Sequence, residues 1–397
     1  MSVTGIVAEY NPFHLGHQYH IRRTKELVNE DAVIVCVMSG DFVQRGEAAC
    51  FSKFARAEAA CRCGADLVVE LPLPWCLSSA EGFARGAVSL LDSLGCDTVS
   101  FGSEAGDLDA LRELAEHLLR KEINDEVKSL LDANGNMSYA SARQQVLQAY
   151  CGDQAALLEK PNNILALEYL KAIEWLHAGL KPVTVKRYGS EHDGVGGEFK
   201  SASVLRGLLR AGESDLDGIP AEAAGVFQKE IEQGTDISRL DLLESAILSR
   251  LRALRIDDFE RLPDASHGLG RKLFQAAHEE PSLMAVMENV KSKRYAMSRI
   301  RRMICCAALG VDAELTKGLP PYARVLAANE RGCAQLSQLR GKTIPIITKP
   351  AAARELDENA LRIFSLGADA HDLLVLGCPD IGARRGGADW RTSPRIL

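Results

Sequence analysis

The chain has 397 residues, enough for two or three domains, each with its own core. A hydrophobic fraction of 46% and a charged fraction of 25% are those of an ordinary globular protein and exclude a fibrous or compositionally biased chain. The net charge of −7 excludes a surface that is basic all over, while leaving room for a local basic patch.

In chain order, apolar runs predict strands at 3–8, 32–38, 66–71, 98–101 and 183–186. The run 32–38 carries no charge, as suits a strand covered on both faces. Between the strands, apolar spacing predicts helices at 16–29, 52–63, 79–94 and 108–120, and a later one at 162–178. Strands alternating with helices predict an α/β fold, a Rossmann-like parallel sheet whose ligands lie beyond the carboxyl ends of its strands. A glycine-rich loop at 193–198 precedes a serine-rich helix start. Beyond about residue 212 the pattern turns mostly helical. The expected organisation is therefore a catalytic nucleotide-binding domain at 1–212, a mostly helical domain at 213–383 and a poorly ordered tail at 384–397. The eleven cysteines are scattered without a Cys-x-x-Cys pair, which predicts reduced structural thiols and no metal site. No run of about 18 apolar residues occurs and residues 1–20 lack a signal-peptide pattern, so a cytoplasmic protein with no membrane partner is expected.

The densest chemistry falls between the first strand and the first helix. His14-Leu15-Gly16-His17 sets two imidazoles beside the free N–H groups of a helix start, the end that attracts phosphate. Gly16 has no side chain and lets a phosphate or a nucleotide ring approach the backbone. Both histidines are expected to donate hydrogen bonds to ATP and to stabilise charge growing on departing pyrophosphate. His20, one turn on, is expected to face solvent or a neighbour. After the second strand, Asp41 is expected on the same rim, accepting a proton or orienting an amine, with Arg45 able to face a carboxylate or phosphate. Gly102 ends the fourth strand, where a glycine lets the chain pass close under a base. Asn162 and Asn163 open the later helix as caps or as base or ribose contacts. Arg187 and Tyr188 follow the fifth strand. Ser201, Ser203 and Arg206 make either a plain cap or a second phosphate cradle.

The segment 291–302 packs Lys291, Lys293, Arg294, Arg299, Arg301 and Arg302 into twelve residues around Tyr295. On helical spacing, Lys291, Arg294, Arg301 and Arg302 lie broadly along one side. A dense basic stripe in an acidic chain predicts binding to a phosphate backbone, RNA in particular.

Taken together, Glu9-Tyr-Asn-Pro-Phe-His-Leu-Gly-His17, Ser39-Gly-Asp-Phe-Val-Gln-Arg-Gly-Glu47, Phe101-Gly-Ser-Glu104, Pro161-Asn-Asn-Ile-Leu165, Val185-Lys-Arg187, Ser292-Lys-Arg-Tyr295 and Leu319-Pro-Pro-Tyr322 resemble the bacterial tRNA(Met) cytidine acetate ligase family, a branch of the nucleotidylyltransferases with a HIGH-like motif. The resemblance implies a two-step ligase. Acetate and ATP form acetyl-adenylate, and the wobble cytidine of elongator tRNA(Met) then takes the acetyl group as N4-acetylcytidine. It implies ATP contacts from Val7, Ala8, Glu9, Tyr10, Asn11, Pro12, Phe13, His14, Leu15, Gly16, His17, Gln18, Tyr19 and His20, and from Gly102, Asn162 (Asn163 being the near alternative) and Arg187. His14, His17 and Asp41 are the expected catalytic residues. Lys293, Arg294, Arg299, Arg301 and Arg302 are the expected tRNA grip. Magnesium is expected to accompany ATP. The segment 201–206 departs from the family pattern, with Val204 and Leu205 in place of a more polar residue and isoleucine. The residues alone reach only adenylyl transfer with an RNA partner. They leave open a nucleotidylyltransferase that joins AMP to a phosphorylated metabolite, and a non-catalytic RNA-binding protein that holds ATP.

Overall fold

In the computed structural model, the described residues are 2–135, 137–187, 200–211, 216–339 and 344–397. The strands are β1 (Val3–Ala8), β2 (Val33–Ser39), β3 (Phe42–Val43), β4 (Glu47–Ala48), β5 (Leu67–Leu71), β6 (Thr98–Ser103), β7 (Lys181–Lys186), β8 (Ala323–Ala328), β9 (Ile346–Ile347) and β10 (Arg395–Ile396). The central sheet runs β10-β8-β5-β2-β1-β6-β7, with β9 beside β8, and β3 and β4 form a separate hairpin. The five strands expected from the sequence pair in parallel as β5-β2-β1-β6-β7. Chain order reverses between β1 and β6, which opens a crevice at their carboxyl ends.

Period-two alternation explains why these runs are strands buried on both sides. Val33, Val35 and Val37 of β2 enter the core on one face, and Ile34, Cys36 and Met38 enter the core on the other. Side chains so buried contribute roughly 1.5–3 kcal/mol each. The helices α1 (Leu15–Val28) and α2 (Lys53–Arg62) follow β1 and the hairpin. Ser52 caps α2 by accepting from Ala55 N–H. The helix Pro161–Leu176 opens with proline at its first position, where the missing N–H costs nothing.

Two expectations are corrected. Residues 213–383 are not simply a helical domain after the sheet. Helices dominate from Ala221 to Leu309, but β8 then enters the central sheet antiparallel to β5, with all six residues buried. Nor does 384–397 hang free: Asp389 is fully buried and β10 pairs with β8. The expected boundary at 212 and the glycine-rich loop at 193–198 lie outside the described residues, as does Tyr188. All eleven cysteines are free thiols, buried except for the half-buried Cys151 and Cys333. Among the described residues, no helix is long and apolar enough to cross a membrane.

Candidate active site

His14 is the N-cap of α1, which begins at the carboxyl end of β1. Its Nδ1 accepts from Gly16 N–H at 3.0 Å, and His17 Nδ1 accepts from His14 N–H at 3.2 Å. The two imidazoles stack with centroids 3.8 Å apart. Tyr10 meets His17 edge-on at 4.9 Å, and Phe13 lies 5.5 Å from the same ring. The backbone thereby selects the tautomer. A neutral ring whose Nδ1 accepts must carry its proton on Nε2, so each histidine keeps one N–H donor to offer.

The electrostatics favour neutral rings. Burial, reinforced by the positive charges of Arg187 and Arg206, lowers the His14 pKa to about 4. Burial and then His14 hold His17 well below the usual histidine value. His20, expected to face solvent or a neighbour, faces a neighbour. It is half-buried, its Nε2 lies 3.0 Å from Ser100 Oγ, and burial and Arg187 lower its pKa to about 4. Among the rest of the carried-over segment, Tyr10, Asn11, Pro12 and Phe13 are buried, while Val7, Ala8, Glu9, Leu15, Gly16, Gln18 and Tyr19 are half-buried. Glu9 accepts from Gln44 N–H at 2.8 Å, and burial raises its pKa.

Across the crevice, Gly102 lies under Arg187. A Cβ at Gly102 would come 3.1 Å from Arg187 Cγ, so glycine lets the arginine stem cross the strand end. Asn162 and Asn163 are no longer equivalent. Asn163 is buried, and its Oδ1 accepts from Ala105 N–H. Asn162 is half-buried and donates through Nδ2 to Glu104 Oε1 at 2.6 Å. Glu104 also accepts from the Asn162 and Asn163 N–H groups, so its carboxylate caps the helix Pro161–Leu176. The sequence marked Glu104 only as the last residue of the Phe101-Gly-Ser-Glu104 block and did not disclose its capping role.

Asp41 is the main correction within the site. It stands 2% exposed, with Lys53 Nζ at 3.3 Å, His371 Nδ1 at 3.0 Å and Lys53 N–H donating to it at 3.2 Å. Burial opposes its charge, but Lys53 and His371 outweigh that and hold the carboxyl far below its ordinary value. A carboxylate so occupied braces its loop and is not poised to take a proton. Arg56, which no motif in the sequence marked, locks the same loop by donating to the carbonyls of Glu9, Ser39, Gly40 and Phe51.

The basic segment does not form one helical face. Its helix, Met297–Leu309, begins only after a turn at Ser292–Tyr295. Arg299 donates to the Asp264 carbonyl and to Ser266, and Arg302 is buried against Asp264 at 3.1 Å. Arg301 pairs with Glu47 at 2.6 Å. Lys293 is exposed beside Asn134, Ser138 and Ser141, and Arg294 lies over the Tyr295 ring. Arg302 is therefore a structural cation, while Lys293 and Arg294 retain the accessibility that a phosphate backbone requires.

A mainly parallel sheet with a tautomer-locked His-x-Gly-His at its crevice defines the class of nucleotidyltransferases. A HIGH nucleotidyl transferase family model matches residues 1–383, and the chain belongs to that family, among its tRNA(Met) cytidine acetate ligases. It is 38% identical to the tRNA(Met) cytidine acetate ligase of Thermoanaerobacter sp. (strain X514) over 394 residues, covering 95% of each chain. Thermosipho africanus (strain TCF52B) has a ligase of the same name that is 34% identical, with 98% of each chain covered. The fold matches Thermotoga maritima TmcAL bound with alpha-thio ATP, with a TM-score of 0.91 and 34% identity over the whole of both chains. Its apo form matches with a TM-score of 0.93 and 33% identity.

Proposed function

We propose that this chain is a cytoplasmic, ATP-dependent ligase that acetylates the wobble cytidine of elongator tRNA(Met). In the first step an acetate oxygen attacks the α-phosphorus of ATP, forming acetyl-adenylate as the bond to pyrophosphate breaks. In the second, the cytidine N4 amine attacks the acyl carbon, AMP leaves and N4-acetylcytidine forms. The observation that carries this reading is the pair of neutral histidines fixed at the N-terminus of α1. Their Nε2–H groups and the helix end offer donors to the phosphates, and their donation strengthens as negative charge collects on pyrophosphate. The segment Val7–His20, Gly102, Asn162 and Arg187 frame the nucleotide. Lys293, Arg294, Arg299 and the partly exposed Arg301 supply the cations that would meet the polynucleotide backbone, and Asp41 acts by holding the Ser39–Asp41 loop.

Among the described residues, no group of three or more His, Cys, Asp or Glu side chains is placed to hold a metal. A magnesium ion accompanying ATP would therefore be held mainly by phosphate oxygens and water. The alternative of joining AMP to a phosphorylated metabolite is not favoured by the ligase names of the relatives. Incubation with labelled acetate, ATP and bulk tRNA, followed by nucleoside analysis, tests the proposal. Label in N4-acetylcytidine is expected, and ATP–pyrophosphate exchange that ignores acetate would sink it.

A further inference from the structure

Glu47 touches both halves of the proposed reaction. It lies in β4, in the hairpin whose turn bonds to Glu9 through Gln44 N–H. Its Oε1 accepts from Arg301 at 2.6 Å, and its Oε2 stands 3.6 Å from Arg206 Nη2. Arg206 in turn donates through Nη1 to the Asn11 carbonyl at 2.9 Å, within the ATP-framing segment. All three side chains are partly buried, so the pairs are less screened than surface ones. The geometry of the hairpin is fixed from both sides. Gln44 N–H donates to Glu9, and Gly46 has a φ of 73° with no room for a Cβ against the Arg301–Arg302 backbone. Glu47 therefore cannot follow either arginine far. Arg206 also stands close enough to help lower the His14 pKa, which puts its charge on the phosphate side.

We propose that Glu47 is a positioning residue shared by Arg206 on the nucleotide side and Arg301 on the RNA side, and that it makes triphosphate and tRNA binding mutually unfavourable. The inference rests on the functional reading above. One carboxylate serves two cations. A triphosphate that draws Arg206 away leaves Glu47 to Arg301, which is then less available to an RNA phosphate. By reciprocity, RNA that takes Arg301 returns Glu47 to Arg206 and weakens triphosphate binding by the same factor. Departure of pyrophosphate lifts the conflict, so firm tRNA binding follows adenylate formation.

The test measures the affinity of an elongator tRNA(Met) transcript for the full-length protein, with and without saturating α,β-methylene ATP and without acetate. In the wild type the nucleotide is expected to weaken tRNA binding about fivefold, the lower end of typical coupling between sites. Glu47→Gln is expected to close that gap and to bind tRNA more tightly than the wild type, because both arginines lose their competitor. A merely structural Glu47 predicts the opposite, weaker binding with the gap unchanged. Arg301→Gln cuts the chain of contacts at its more exposed end and should also close the gap, which keeps the proposal testable if Glu47→Gln does not fold. A gap that persists in both variants, or that is absent from the wild type, overturns the coupling. A wild type that binds no tRNA overturns the functional reading and the inference with it.

Discussion

His14 and His17 differ from ordinary histidines because the backbone has taken one nitrogen of each ring. We predict that His17→Ala lowers acetate-dependent ATP–pyrophosphate exchange by about a hundredfold or more, the scale of losing a donor aimed at developing charge. An unchanged exchange rate would remove His17 from the chemistry. His14 carries a pH signature as well. Its folded pKa, about 4, lies below the ordinary 6.5, so the unfolded chain takes up the proton first. The stability that neutral His14 contributes is complete above about pH 6.5 and drains away as the pH falls toward 4. Between those values, the wild type should lose melting temperature more steeply than His14→Gln. Parallel melting curves would mean that His14 titrates normally. The role of Asp41 was misread from the sequence for a physical reason. Gly40-Asp41 at a strand end looks the same whether the carboxylate faces a ligand or an internal lysine, and its partners Lys53 and His371 are 12 and 330 residues away.

At the scale of elements, the segment 291–302 separates into an accessible turn and a docked helix, and the two parts call for different variants. Lys293→Glu with Arg294→Glu should leave ATP–pyrophosphate exchange intact and weaken tRNA binding. The salt dependence of that binding should also become shallower, by a slope of up to about two for two lost phosphate contacts. Loss of exchange in this double variant would assign the turn to the nucleotide site. Arg302→Glu tests something else. It would face Asp264 with a second carboxylate in a buried place and cost on the order of 3–5 kcal/mol in urea unfolding. Retained stability would show that the Arg302–Asp264 pair is dispensable. The density of charge was legible in the sequence, but its division was not. Helical spacing assumes a helix throughout, and the chain turns at Ser292–Tyr295 before the helix starts. The strands β1, β2, β5, β6 and β7 were legible because each carries its own apolar run, and α1 because His14 and Gly16 mark its start.

For the whole molecule, what the sequence concealed is how the end of the chain closes on its beginning. β8 reads Ala-Arg-Val-Leu-Ala-Ala, poor in the β-branched residues that announce a strand, and only its place beside β5 makes it one. The tail is rich in glycine and arginine, the composition of a free end, yet Asp389 is fully buried within it. Its carboxylate lies 2.7 Å from Lys53 Nζ and 2.6 Å from Arg324 Nη1. Glu70 pairs with the same two cations, and Asp41 reaches Lys53 from the loop beside the nucleotide crevice. Burial opposes the charges of Asp41, Lys53, Arg324 and Asp389. Lys53 and Arg324 are nevertheless held protonated and Asp389 ionised, because each is the other's compensation. Removing one partner leaves the rest buried without it, which costs far more than the pair contributes. Asp389→Ala should therefore lower unfolding free energy by about 3–5 kcal/mol, read from the urea midpoint at unchanged slope. Exchange activity should fall with it as the Asp41 loop loosens. Deleting 394–397 removes the short, exposed β10 and its loose contact to Glu58, and should cost less than about 1 kcal/mol. If the two changes cost the same, the anchor is the terminal strand and not the buried carboxylate.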